Sequence, residues 1–165
     1  YAKHHETGAP LPPELVLGLS ESEGFNEGFG TTEYLAAALL DQAWHRLSAA
    51  EAAAVTDVEA FERDALAAAG IAVEAVPPRY SSTYFAHTFS GGYDAGYYGY
   101  IWSEVLDADT VEWFRDNGGL DRAAGRRFAE RLLGVGGAKD PLEAYRDFRG
   151  RDAEVGPLLR RRGLE

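Results

Sequence analysis

Apolar residues along this chain recur mainly at helical spacing, and glycines and prolines cut the pattern into short elements. Pro10, Pro12 and Pro13 open an extended entry, after which residues 14–19 read as a short helix. Thr31 or Thr32 is placed to cap a helix running to Leu47, with Leu35, Leu39, Trp44 and Leu47 on its core face. A polar, alanine-rich segment starts at Ser48, and Asp57 caps a helix through Ala69 that Gly70 stops. Pro77 and Pro78 force an extended joint. Helices are predicted beyond it over 79–89, 94–117 and 121–133. Asp140-Pro141 caps another that ends near Gly150, and a last one covers 154–162. Only residues 71–76 offer any strand-like run. The pattern predicts an all-α, multi-helical fold over residues 1–165.

The 45% hydrophobic and 12% aromatic content of the 165 residues suits one folded domain with a real core. No apolar run approaches the roughly 20 residues that span a bilayer, so no membrane partner is expected. The net charge of −11 argues against a phosphate-backbone binder, which excludes nucleic acid as the expected partner. The one basic cluster, Arg160-Arg161-Arg162, reads as a helix-terminal or ion-pairing group. The chain has no cysteine, which excludes disulfide and thiolate chemistry and agrees with a reducing compartment. It starts at Tyr1 with no methionine anywhere, and so reads as a piece of a longer product.

Six of the nine tyrosines fall between positions 80 and 100, interleaved with Gly91, Gly92, Gly96 and Gly99. If the predicted helix begins at 94 with Tyr93 just ahead of it, Tyr93, Tyr97, Tyr100 and Glu104 stand at i, i+4, i+7 and i+11 on one face. Tyr98, Trp102 and Val105 would serve a more apolar one. Glycines inside a helix cost about 1 kcal/mol each, a cost tolerated where backbone meets a ligand or another backbone. Two readings fit: a glycine-rich binding loop feeding a row of phenols, or a close helix crossing whose phenols bond to nearby backbone. His87, just ahead of the loop, is either a donor to a substrate carbonyl or a satisfied core group.

Other motifs fall away. No Gly-Lys-Ser or Gly-Lys-Thr supports a phosphate loop. Asp107-Ala108-Asp109 lacks the glycine a calcium loop needs and reads as a solvated helix face. His4-His5-Glu6 has no further histidine near it at metal-binding spacing. His45, late in its helix, is expected to pack or to meet the carboxy-terminal dipole.

Three segments, FNEGFGTTEYLAAALLDQAWH, RYSSTYFAHTFSGGYDAGYYGYIWSEVLDAD and FRGRDAEVGPLLRRRGL, together resemble the end of the thimet-oligopeptidase family of zinc metallopeptidases. They are most similar to its bacterial peptidyl-dipeptidase branch, and the likeness covers essentially the whole chain. The resemblance implies a largely helical enzyme enclosing a deep channel for short peptides. Its zinc is held by a His-Glu-x-x-His helix and a glutamate on the next helix. That motif is absent here, and the opening YAKHHETGAPLPPEL resembles the stretch after the third ligand.

By this resemblance the chain is the helical carboxy-terminal portion of a catalytic domain, without the zinc-binding helix. Zinc is then expected in the intact parent and none in this piece. Tyr100 corresponds to the tyrosine that stabilises the tetrahedral intermediate, and Tyr93 to a second loop tyrosine reaching substrate or oxyanion. His87 and Tyr97 correspond to substrate-binding groups, and Gly91 and Gly92 to the loop that meets the peptide. The implied partners are short peptides and the upstream zinc-binding part, in a cytoplasmic enzyme releasing carboxy-terminal dipeptides. The piece alone should be inactive. The alternative is a stand-alone, catalytically inactive helical module that holds peptides.

Overall fold

The computed structural model describes residues 2–165. The α-helices are α1 (Pro13–Ser22), α2 (Glu27–His45), α3 (Ala49–Ala54), α4 (Val58–Ala68), α5 (Ala86–Phe89), α6 (Gly99–Asp116), α7 (Arg122–Phe128), α8 (Pro141–Arg149) and α9 (Gly156–Arg161). Single 3-10 turns cover Ser82–Tyr84 and Gly136–Ala138, and α7 continues as a wider π-helical turn over Ala129–Leu133. Among the described residues extended backbone pairs only in isolated bridges, Lys3 with Pro10 and Val73 with Val76. The all-α expectation holds. The strand-like run at 71–76 closes on itself as a turn instead of finding a partner strand. No described helix is long and apolar enough to cross a membrane.

Helix starts that carry an explicit capping residue fall where the sequence puts them. Ser48 and Glu51 form a reciprocal capping box, and Asp57, Asp121 and Asp140 each accept first-turn N–H groups. Three other boundaries differ. α2 starts at Glu27, ahead of Thr31 and Thr32, directly behind Asn26, whose left-handed φ of 61° breaks the helical path there. Thr32 caps nothing; its Oγ1 donates to the Gly28 carbonyl at 2.7 Å.

Residues 79–89 are not one helix. The Arg79 N–H bonds across to the Glu33 carbonyl at 2.9 Å. Glu62 of α4 accepts from Ser81 Oγ, Ser82 N and Ser82 Oγ at 3.0, 2.8 and 2.9 Å. These bonds to outside partners leave only the 3-10 turn and α5. Finally, α6 begins at Gly99 and not at 94, so Tyr93 and Tyr97 precede it.

The core face of α2 is Ala36, Ala37, Ala38, Leu40 and Asp41, whereas Leu39 is exposed. Small alanines let neighbours approach on two sides. Ala37 and Ala38 pack with Phe85 and Tyr97, and Ala36 and Leu40 with Leu66, Trp44 and Ile71. Further along, Val105 and Ala108 of α6 bury Leu158 of α9, and Trp113, Ala124 and Phe148 join α6, α7 and α8. Asp109 is not on a solvated face: its side chain is 0% exposed and holds Arg149 and Arg151. The basic cluster is spent on ion pairs as expected. Arg160 pairs with Glu112 and Glu165, Arg161 with Asp107, and Arg162 with Glu104.

Candidate active site

Four side chains singled out in the sequence converge, though not by the route expected. Tyr93 and Tyr97 lie in the turn before α6, so no single helical face carries the three phenols. The turn folds back instead, with the Tyr93 N–H bonded to the His87 carbonyl at 3.1 Å. The Tyr93 and Tyr100 rings stack with centroids 5.2 Å apart, and Tyr97 lies 5.2 Å from Tyr100. The His87 ring is 6.5, 5.8 and 6.4 Å from Tyr93, Tyr97 and Tyr100.

The two glycines play different parts. A Cβ on Gly91 would stand 2.9 Å from the His87 carbonyl oxygen, so only glycine lets the chain turn there undisturbed. Gly92 takes φ +80°, the left-handed region that favours glycine.

Tyr97 is buried at 3% exposure, while Tyr93 and Tyr100 remain open at 45% and 37%. Tyr97 is therefore a wall of the site, and the other two phenols are free to meet a ligand. His87 Nδ1 is buried and finds no hydrogen-bond partner among the described residues, a rare condition for a polar atom. Tyr34, Tyr97 and Tyr100 sit above the ordinary tyrosine pKa. The Tyr93 hydroxyl is the main cause for Tyr100, by hydrogen bonding to the neutral form, and burial is the main cause for Tyr97. Burial, aided by the Glu104 carboxylate, pushes Tyr34 up to about 12. Each stays a hydrogen-bond donor at neutral pH.

A cavity of about 480 Å³ opens over this cluster, and Tyr34, Arg79, Tyr80, Glu104 and Arg162 line it beside His87, Tyr97 and Tyr100. Sequence reasoning missed Arg79 and Tyr80. The signal was present, because both sit directly behind the Pro77-Pro78 joint that aims them into the site. Asp41 and Gln42 were missed as well. They bond to the turn carrying the phenols, and an acid on the apolar side of α2 was the sign.

His4, His5 and Glu6 are the one metal-capable group found among the described residues, with ligating atoms within 4.8 Å of one another. All three are exposed, and the two imidazoles stack on each other at 5.0 Å. Of the three, His4 lines a different cavity, with Pro10 and Leu11. Their arrangement does not fit the His-Glu-x-x-His zinc set, and among the described residues no such trio stands at the phenols.

The model of peptidase family M3 matches residues 1–164. The chain is 45% identical to a dipeptidyl carboxypeptidase of Escherichia coli over 99% of its own length, which is 24% of that relative. It is 44% identical to the dipeptidyl carboxypeptidase of Salmonella typhimurium over 100% of its length and 24% of the relative. With oligopeptidase A of Escherichia coli the identity is 32% over 98% of the chain and 23% of the relative. The chain belongs to peptidase family M3. This is the kinship its tyrosine and glycine motifs indicated, and the chain spans about a quarter of the length of these curated relatives.

Proposed function

We propose that this family M3 chain is the helical carboxy-terminal portion of a zinc-dependent peptidase that removes dipeptides from the carboxy ends of short peptides. In this reading it supplies the phenolic wall of the active site. Convergence of His87, Tyr93, Tyr97 and Tyr100, with His87, Tyr97 and Tyr100 lining a cavity, is the observation that carries it. The greater identity to dipeptidyl carboxypeptidases than to oligopeptidase A supports dipeptide release over internal cleavage.

The chemistry asked of these residues is modest and specific. Attack of water on a peptide carbonyl moves negative charge onto its oxygen, and a fixed O–H donor aimed there stabilises that charge more than it does the ground state. Tyr100 and Tyr93 are the exposed donors for this task, and their shared stack fixes where both hydroxyls stand. His87 has an unsatisfied ring nitrogen and a place beside the phenols, which suits it to orient the bound peptide. Tyr97 closes the floor, while Gly91 and Gly92 let backbone come close to the substrate. The zinc, which supplies Lewis-acid activation when bound, and the glutamate that takes the water's proton belong in this reading to upstream residues.

Exposed apolar side chains fit the same account. Leu15, Val16, Leu17 and Leu19 of α1 are 54, 49, 60 and 62% exposed, and that helix buries none of its residues. A helix of that kind needs a partner, and the upstream part of the enzyme is the one proposed. The setting proposed is the cytoplasm.

The test is to incubate the full-length enzyme with a free-carboxylate peptide and the same peptide amidated, with and without a chelator, reading products by mass spectrometry. The expected result is chelator-sensitive release of carboxy-terminal dipeptides from the free acid alone, with no turnover by the 165-residue chain. Turnover by that isolated chain, or internal cuts in the full-length enzyme, would overturn the assignment.

A further inference from the structure

Between Phe89, where α5 ends, and Gly99, where α6 begins, the chain has no regular structure, yet it places three phenols in register. One buried carboxylate grips that turn. Asp41 Oδ1 accepts from the Ala95 N–H at 3.0 Å, and Oδ2 accepts from the Tyr97 N–H at 2.9 Å. The next residue of α2 holds the other end of the same residue, with Gln42 Nε2 donating to the Ala95 carbonyl at 2.7 Å. His45, one helical turn on, sets its Nδ1 2.8 Å from Asp41 Oδ1 and 2.9 Å from the Asp41 carbonyl oxygen.

Two features mark this as more than ordinary packing. Ala95 has φ 56°, a left-handed conformation that is costly for any residue with a Cβ and persists only where surroundings impose it. The Asp41 side chain is 0% exposed, and an acid drawn that far from water needs its lone pairs filled. Each requirement answers the other, since the turn supplies two N–H donors and the carboxylate enforces the strained turn.

We infer that Asp41, supported by Gln42 and His45, is the positioning residue of the phenol cluster. It fixes the 94–97 turn and so sets where Tyr93, Tyr97 and the first turn of α6, with Tyr100, stand. It touches no substrate and acts only through those phenols. The inference rests on the oxyanion role proposed above for Tyr100.

An acid is required, because the Ala95 and Tyr97 N–H groups converge on it. Asparagine has nearly the same shape but would turn an NH2 toward one of these donors. Misplacing a catalytic group by about 1 Å costs on the order of 100-fold.

The test is a double-mutant cycle in the full-length zinc enzyme at saturating peptide, with zinc content and circular dichroism recorded for every variant. Asp41→Asn is expected to lower kcat by at least ~10-fold. In a Tyr100→Phe background the same substitution should cost less than ~3-fold, because the group it positions is gone. Gln42→Glu, which sets a carboxylate against the Ala95 carbonyl at a less buried position, should show a smaller loss with the same non-additivity. It carries the test if Asp41→Asn does not fold. Costs that multiply fully with Tyr100→Phe, or an unchanged kcat in both variants, would overturn the positioning role while leaving the oxyanion role intact. A normal kcat for Tyr100→Phe alone would remove the oxyanion role, and this inference with it.

Discussion

Replacing Asp109 with alanine should cost this chain much of its stability, and the structure says how much. The carboxylate is 0% exposed and accepts from Tyr145 Oη at 2.7 Å, Arg149 Nε and Nη2 at 3.1 and 3.0 Å, and Arg151 Nη1 and Nη2 at 3.0 and 2.8 Å. Burial alone would raise its pKa, but the bonds from Tyr145, Arg151 and Arg149 prevail and hold it below the usual carboxylate value. Its partner Tyr145 moves the other way, raised first by burial and then by its bond to Asp109. Without the acid, the Tyr145 hydroxyl loses its acceptor at a site 2% exposed, which costs about 1–3 kcal/mol. Arg149, 12% exposed, becomes a nearly buried lone cation, whereas Arg151 at 32% regains water and adds little.

Removing one partner of a buried pair costs about 3–5 kcal/mol, and that is the expected loss. Typical domains hold about 5–15 kcal/mol in all. Because the folded pKa is depressed, the stability Asp109 contributes is present above the unfolded value near 3.8 and lost as pH falls through the folded one. Urea unfolding followed by tryptophan fluorescence reads this directly, since Trp113 packs on Phe148 of α8 at 4.6 Å. A loss below about 1 kcal/mol for Asp109→Ala, or an acid limb unchanged in Asp109→Asn, would refute the reasoning.

Gly91→Ala should lower kcat/KM of the full-length enzyme about 10-fold or more, because its Cβ meets the His87 and Ala86 carbonyls at 2.9 and 3.1 Å. Gly28→Ala, with nothing within 4 Å, is the control expected to leave kcat/KM unchanged. Ser48→Ala removes the side-chain half of the capping box at α3, the bond from the Glu51 N–H to Ser48 Oγ, and should cost about 1 kcal/mol in a urea melt, without affecting turnover. Since the Tyr100 pKa is raised above 10.0, its proton stays on through neutral and mildly alkaline pH. The kcat profile should then show no phenol-linked fall below about pH 10, and an alkaline limb that vanishes in Tyr100→Phe at lower pH would contradict this.

What the sequence disclosed and what it hid divide along physical lines. Helix starts with an explicit capping residue, at Ser48, Asp57, Asp121 and Asp140, were legible because the cap is a local interaction. The starts of α2 and α6 were not. There, left-handed Asn26 and Ala95 override helical pattern, and for Ala95 the forces come from residues more than fifty positions away. The same gap explains the phenols. Helical spacing suggested that Tyr93, Tyr97 and Tyr100 would stand together, and they do, but a folded turn rather than one helical face unites them. Asp109 shows the limit most sharply. In sequence it is one more acid in an acidic helix, and only α8 arriving from the far end of the chain makes it buried.

The central claim is that Tyr100 donates to the oxygen that gains charge as the peptide bond is attacked. Measuring kcat of Tyr100→Phe in the full-length zinc enzyme, at saturating free-carboxylate peptide, tests it most directly. The account predicts a fall of about 100-fold, with KM changed far less. A kcat within about 3-fold of the unsubstituted enzyme would contradict it and leave the phenol cluster as packing.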